Sequence, residues 1–278
     1  MKIRLLSDLH HEHFDGRRQL PEVEADVVVL AGDIHSHLEG LHWARETFAD
    51  SEIVYVAGNH EFYSSEMTDL TQAMRNIARA LEIHFLENDE ARIGPARFLG
   101  ATLWTDFQLY GADGYAPAHE LALQSMPDFS CIDWFGGDFT PEQSIALHQA
   151  SRDWLAEQLA RPHDGPTLVV SHHAPSALSI PPQFVGNPLS PAFASNLDEL
   201  VAQADYWLHG HVHDALDYRI GRARVLANPA AIPTREAGSV RNSSSRSEPQ
   251  RGNWLKKRQI STGASSSGSL LPRIRGKR

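Results

Sequence analysis

Short apolar runs alternate with stretches of helical periodicity through most of this chain, and that alternation limits its fold more than any other feature. Residues 2–7 read as a strand, and residues 26–31, Asp-Val-Val-Val-Leu-Ala, as a buried one. A helix is expected over about 37–49, with Leu38, Leu41 and Phe48 inward. A strand over 53–57 follows, then a helix over 67–81 in which Leu70, Met74, Ile77 and Leu81 share a face. Residues 92–103 read as two short strands turned at Gly94-Pro95. Thr140-Pro141 opens a helix to about residue 160, with Thr as cap and Pro at the first helical position. Strands are expected at 167–170 and 205–208, a helix at 190–202, and a hairpin over 216–227 around Gly221. Strands alternating with helices of this length imply βαβ units and a layered α/β architecture. Residues 105–139 lack clear periodicity and are rich in aromatics, Gly and Asp. A stretch that long is expected to be a lid or insert, or to hold structure that periodicity does not reveal.

Composition narrows the setting. No apolar run approaches the roughly 20 residues of a spanning helix. The first residues carry charges within their apolar stretch and lack a small-residue cleavage site, so a first strand is expected there and not a signal peptide. A single cysteine, Cys131, excludes an intramolecular disulfide framework and suits a cytoplasmic location. Sixteen histidines against that one cysteine mean that any metal site should use imidazole and carboxylate. The net charge of −10 is unevenly spread: residues 235–278 hold 11 basic and 2 acidic residues, the rest 14 basic and 33 acidic. So acidic a body argues against nucleic acid as a partner.

Five polar clusters sit where predicted strands end: Asp8-Leu-His10, Gly32-Asp33, Gly58-Asn59-His60-Glu61, Ser171-His172-His173 and Gly210-His211-Val212-His213. In layered α/β folds the carboxyl ends of strands converge on the ligand crevice. Convergence is what a two-ion site needs, because many donors must surround ions about 3.5–4 Å apart. The spacing in Asp8-x-His10 and His211-x-His213 has a simple expectation, since residues two apart on an extended chain point the same way. Singly, each cluster has a commonplace explanation as a turn or a surface polar group. All five together, each at a strand end, do not.

This ordered pattern, over about residues 1–233, resembles that of the calcineurin-like metallophosphoesterases: D-x-H, G-D, G-N-H-E, a later histidine, and G-H-x-H. The resemblance implies a four-layer αββα sandwich with two mixed β-sheets and a dinuclear metal site at strand C-terminal ends. It implies that Asp8, His10 and His213 hold one ion, that Asn59, His172 and His211 hold the other, and that Asp33 bridges both. His173 is the rival to His172. His60 would stand beside the substrate as a non-ligand that protonates the leaving oxygen or steadies the phosphoryl group. The implied reaction is hydrolysis of a small phosphomonoester or phosphodiester by a hydroxide that two divalent ions (Mn favoured, or Fe, Zn or Co) activate. Glu61 is a candidate to orient a ligand imidazole, or equally a solvated loop carboxylate. His11, His13, His35, His37, His42 and His209 flank the motifs and are expected at the surface or behind the ligands, with lining of the site's mouth as the alternative. Trp104, Tyr110, Tyr115, Trp134 and Phe135 are expected in core and lid packing, or in a wall over the substrate.

Protein Ser/Thr phosphatases of this superfamily usually continue G-D into a segment ending Asp-Arg-Gly. Here the run is Gly32-Asp33-Ile34-His35-Ser36-His37, without that arginine, which disfavours a phosphoprotein substrate. Two other classes stay open: a binuclear hydrolase of an amide or lactone, and a metal-binding pseudoenzyme. Oligomeric state is open as well. Beyond residue 233 the pattern collapses, and residues 239–278 hold ten serines and many basic residues, so disorder is expected. Residues 230–236 back-translate so that a one-base shift gives Arg-Gly-Tyr-Pro-Asn-Glu-Arg. Bacterial members of the family commonly carry Asn-Pro-Arg-Gly-Tyr-Pro at this place, and Asn228-Pro229 precede the change. A frameshifted or read-through C-terminus from about residue 230 is therefore expected, against the alternative of a natural basic interaction arm.

Overall fold

Val27, Val29 and Ala31 project to one side of an extended segment and Val28 and Leu30 to the other, and all five are buried. Such a strand must lie between two apolar layers. The computed structural model describes residues 1–14 and 20–230 and shows what those layers are. In chain order the elements are β1 (Ile3–Leu6), β2 (Val27–Ala31), α1 (Glu39–Thr47), β3 (Glu52–Val56), β4 (Ser65–Glu66), α2 (Met67–Ala80), β5 (His84–Phe85), β6 (Asp89–Ile93) and β7 (Ala96–Ala101). They continue with α3 (Ala112–Ser125), α4 (Asp128–Cys131), β8 (Ile132–Trp134), β9 (Gly137–Asp138), α5 (Pro141–Leu159) and β10 (Thr167–Ser171). The last are α6 (Asp198–Val201), β11 (Tyr206–His209), β12 (Leu216–Ile220) and β13 (Ala223–Ala227). The chain divides into two units, Met1–Thr234 and Arg235–Arg278. The second unit, with the expectations of disorder, frameshift or basic arm from about residue 230, lies outside the described residues.

Two sheets stack face to face. One has the order β1-β2-β3-β5 and the other β12-β13-β11-β10-β7-β6. Val27, Val29, Ala31, Val54 and Val56 of the first pack against Phe98, Leu168, Val170 and Leu208 of the second. The opposite faces carry helices. Val28, Leu30 and Tyr55 meet Leu41 of α1 and Leu70 and Met74 of α2, while Leu99, Val169, Trp207 and Val225 meet Leu155 of α5 and Val201 of α6. The layered sandwich is therefore present, but only one of its two sheets is mixed. The first is parallel throughout, because each of its strands is entered by a crossover from the same side. The second is parallel at its centre and closed at each edge by a hairpin, β6–β7 turning at Gly94-Pro95 and β12–β13 at Gly221.

Three points are decided by the structure. Residues 105–139 do hold structure that periodicity does not reveal: they form α3, α4 and the strands β8 and β9, which join β4 in a third small sheet. Helix α3 buries only Ala118 and Ala122 and contains Pro117, so it presents no apolar stripe to read. No helix spans 190–202. A 3-10 turn at Ser190–Ala192 gives way to extended chain that pairs with Ala174, and only α6 is helical, because that tertiary pairing takes the backbone donors. The third concerns Glu61. It does not orient an imidazole. Wholly buried, it binds the two loops at the ends of β2 and β3 together: Oε2 accepts from the backbone of Asp33 (3.0 Å) and Gly58 (2.8 Å), and Oε1 from Ile34 N (3.0 Å) and the Tyr55 hydroxyl (2.7 Å).

Four bonds to one buried carboxylate make a sharp stability prediction. Glu61→Gln turns one acceptor oxygen into an NH₂ group facing donors, and should lower the unfolding free energy by about 2–4 kcal/mol. Urea unfolding should show a lower midpoint at unchanged slope. A midpoint equal to that of the parent chain would refute the clamp. A second prediction concerns His148, buried in α5, whose Nδ1 donates to the Leu103 carbonyl (3.1 Å). Burial pushes its pKa below the ordinary value, so it stays neutral in the folded chain while the unfolded chain takes up a proton near pH 6.5. Its contribution is thus present above about pH 6.5 and is lost as the pH falls towards the folded value. Urea midpoints of His148→Leu should fall less steeply between roughly pH 6.5 and 5 than those of the parent. Parallel slopes would exclude His148 as a source of acid lability.

Candidate metal centre

Every cluster singled out in the sequence meets at one end of the sandwich. The loops after β1, β2 and β3 bring Asp8, His10, Asp33, Asn59 and His60, and the loops after β10 and β11 bring His172, His211 and His213. Two layers thus contribute to one centre. The chain does not reach it by simple extension. Asp8, His10, Asp33, His211 and His213 all have positive φ, between 47° and 69°. The expected alternation of an extended chain is therefore not what aims the D-x-H and H-x-H pairs. Left-handed turns aim them, sending Leu9 into the core between Asp8 and His10. Each such residue costs on the order of 1–2 kcal/mol, and strain of this kind concentrates where function holds it.

Two glycines show how closely the side chains approach the backbone. A Cβ on Gly32, itself at φ 83°, would strike the His172 ring, and a Cβ on Gly58 would strike the Asp33 carboxylate. The glycines of the G-D and G-N-H-E clusters therefore make room for other functional side chains.

The donor atoms fall into two groups that share Asp33. Asp8, His10, Asp33 and His213 form one, with His10 Nε2 3.0 Å from His213 Nε2, His213 Nε2 3.4 Å from Asp8 Oδ1, and His10 Nε2 3.7 Å from Asp33 Oδ2. In the other, His172 Nε2 lies 3.4 Å from Asp33 Oδ2, 3.1 Å from His211 Nδ1 and 3.1 Å from Asn59 Oδ1. His172 Nδ1 donates to the Ala31 carbonyl (2.9 Å), which turns the lone pair of Nε2 into the group. Neighbouring His173 is equally buried but turned away, its Nδ1 donating to the Thr102 carbonyl (3.2 Å) and its ring 5.1 Å from that of Trp104. Three acceptors around one ring nitrogen cannot be satisfied by one hydrogen, whereas a divalent cation satisfies all four atoms together. The donor chemistry, carboxylate, imidazole and amide oxygen, fits such an ion.

Electrostatics follow from the burial of two carboxylates. Burial alone would raise Asp33, but the facing His172, His60 and His10 hold it well below the ordinary carboxylate range. Asp8 is likewise raised by burial and lowered, by more, by His213 and His172, with Ser7 also bonded to it. Burial disfavours the charged form of His172, yet Asp33 and Asp8 carry its pKa up to about 10. Burial first, and then the neighbouring charge of His172, push His173 down to about 3, against the bond to the Thr102 carbonyl, which favours its charged form. This end of the sandwich favours cations strongly, at the place where the donor atoms meet.

His60 stands at the rim, partly buried, with Nε2 4.0 Å from Asp33 Oδ2. Two partners of this residue were not legible as such in the sequence. Glu12 Oε1 accepts from His60 Nδ1 (3.0 Å) and from His10 Nδ1 (3.1 Å), and its position two residues after His10 was the available signal. The Tyr63 ring lies 4.4 Å from that of His60. His13, mostly exposed, completes a further group of possible donors with His10, Glu12 and His60. Of the other flanking histidines, His11 packs on Trp43, His37 Nε2 donates to the Tyr63 carbonyl (2.7 Å), and His209 is buried, accepting from Ser179 Oγ (2.9 Å). Trp104 is core, packed on Phe139, and Phe135 is exposed.

Comparison with known proteins gives a fold likeness and a family. Among solved structures, a phosphopantetheinyl hydrolase from Mycobacterium tuberculosis superposes with a TM-score of 0.65 at 16% identity, over 84% of this chain and 90% of that one. A Staphylococcus aureus protein provisionally assigned as a 5'-nucleotidase, solved with alpha-ketoglutarate, matches at a TM-score of 0.45 and 14% identity, over 81% of this chain and 48% of its own. No curated protein sequence matches the chain. The likeness at 16% identity is one of fold. A family model described as calcineurin-like phosphoesterase matches residues 1–215, and the chain belongs to that family.

Proposed function

We propose that this chain hydrolyses a small phosphate ester, mono- or diester, at a centre of two divalent ions held by residues of a catalytic domain spanning 1–233. Asp8, His10 and His213 would hold one ion, Asn59, His172 and His211 the other, and Asp33 both. Metal-dependent hydrolysis of phosphoesters is the chemistry of the family. The observation that carries the two-ion reading is the place of Asp33 Oδ2, which faces His10 Nε2 from one side and His172 Nε2 from the other. When bound, two such ions supply Lewis acidity that makes water nucleophilic near neutral pH and draws charge from the phosphoryl oxygens.

The chain's own residues do the rest. Asp33 is held at three points: its backbone N–H by Glu61, its carbonyl by the His10 N–H (3.0 Å) and its Oδ1 by the His60 N–H (3.0 Å), while burial removes water from its flank. His60 has its Nδ1 committed to Glu12, which leaves Nε2 directed at the centre, where it can give a proton to a leaving oxygen. The single cysteine supports a cytoplasmic setting. No described helix is long and apolar enough to cross a membrane.

Hydrolysis of p-nitrophenyl phosphate and its bis ester with added Mn²⁺ tests the reading. Activity should require metal and fall at least about a hundredfold in both Asp33→Ala and His60→Ala. The preferred ester separates mono- from diesterase. A chain that binds two Mn²⁺ yet turns over neither ester, while hydrolysing a lactone or amide, would overturn the phosphoester assignment.

A further inference from the structure

The segment 105–139 enters the centre through one side chain. Asp128, the first residue of α4, is 2% exposed, and its Oδ1 accepts from Asn59 Nδ2 (2.8 Å) and from the Tyr63 hydroxyl (2.6 Å). We propose that Asp128 is a positioning residue: it sets the amide of Asn59 so that its oxygen faces His172 and, through Tyr63, it sets the ring of His60. The inference rests on the two-ion reading above.

An asparagine side chain has two nearly isosteric poses that differ in which end is acceptor. In the pose found, the NH₂ group points at Asp128 and Oδ1 lies 3.1 Å from His172 Nε2. The opposite pose would set the amide oxygen against the Asp128 carboxylate and its NH₂ group against the ring nitrogen. It would leave a hydrogen-bond donor where a cation needs an acceptor. An acceptor-only neighbour such as a carboxylate excludes that pose, whereas Tyr63 Oη, 3.0 Å from the same Nδ2, can donate or accept and does not choose between the two. Because the Tyr63 hydroxyl donates its hydrogen bond to Asp128 Oδ1, it is left to accept from Asn59. Tyr63 in turn lies against His60, with its ring inclined by 31°.

The segment is anchored for this task. Ser64 N donates to the Cys131 carbonyl (2.5 Å), and β4 pairs with β8 through Ser65 with Ile132 and Glu66 with Asp133. Phe129 and Ile132 are buried in the core shared with α2. The loop that carries Asn59 and His60 is thus bonded to the segment that carries Asp128 within a few residues on each side.

Titration of the full chain with Mn²⁺ tests the proposal, comparing the parent with Asp128→Leu, which keeps the size without the acceptor, and Asp128→Asn, which keeps an acceptor oxygen. The parent should bind two ions. Asp128→Leu should keep the first and bind the second about 10–100-fold more weakly, and Asp128→Asn should stay within about threefold of the parent. A merely structural role would lower thermal stability without separating the two ions. Asp128→Leu binding both ions as the parent does overturns the inference alone. A parent that binds no second ion overturns the two-ion reading and the inference with it. One measurement does not depend on how the Asp128 variants fold: the side-chain amide protons of Asn59 in the NMR spectrum of the parent, identified by their loss in Asn59→Asp. Bonded to a buried carboxylate, they should exchange with solvent at least about tenfold more slowly than those of exposed Gln72. Equal exchange overturns the inference.

Discussion

A carboxylate with 1% of its surface exposed is costly to keep ionised unless positive charge or donors surround it, and Asp33 has drawn its surroundings from both sheets to meet that cost. Imidazoles from β1's loop, β3's loop and β10's loop face it, and backbone donors from His60 reach it as well. The compensating groups cannot come from its own strand, because neighbours on one strand point to opposite faces. They must come from other strand ends, and those ends converge only if the strands run parallel with their carboxyl termini level. That is the arrangement of the first sheet and of the centre of the second.

The convergence is bought with backbone strain and with glycine. Five of the seven proposed ligands sit in the left-handed region, where none is a glycine, while the adjacent Gly32 and Gly58 are where a Cβ cannot be accommodated. The strain persists because buried hydrogen bonds surround it. Glu61 is central to this. It binds the backbone of Asp33, Ile34 and Gly58, and so locks the turns that carry Asp33 and Asn59 to each other.

How much of this was legible in the sequence depends on whether a residue's signal is local. The proposed ligands follow apolar strands directly, so their motifs could be read in place, as could the βαβ layering, the capped helix at Thr140-Pro141 and the two hairpins. Glu61 was read with the wrong partners, because nothing in Gly-Asn-His-Glu says whether the carboxylate faces imidazoles or amides. Helix α3 buries two alanines and carries no periodic stripe, so it was invisible to hydrophobic spacing. Asp128 lies 69 positions along the chain from Asn59, and no local pattern marks it. The pair His172-His173 shows the same limit at closest range. Both are buried, and only the carbonyls they meet, Ala31 for one and Thr102 for the other, separate their directions.

The two proposed ion groups do not divide by sheet. Asp8, His10 and Asp33 come from the first sheet and His213 from the second, whereas Asn59 comes from the first and His172 and His211 from the second. Each group is therefore cut by the interface between the layers, and its geometry depends on how Val27, Val29, Val54 and Val56 seat against Phe98, Leu168, Val170 and Leu208. Close-packed interiors resist small displacements, so this apolar seam sets the distance between donors that never touch it. Selection on the seam and on the site is then one constraint, since a methylene gained or lost between the sheets would shift His172 and His213 relative to Asp33 together.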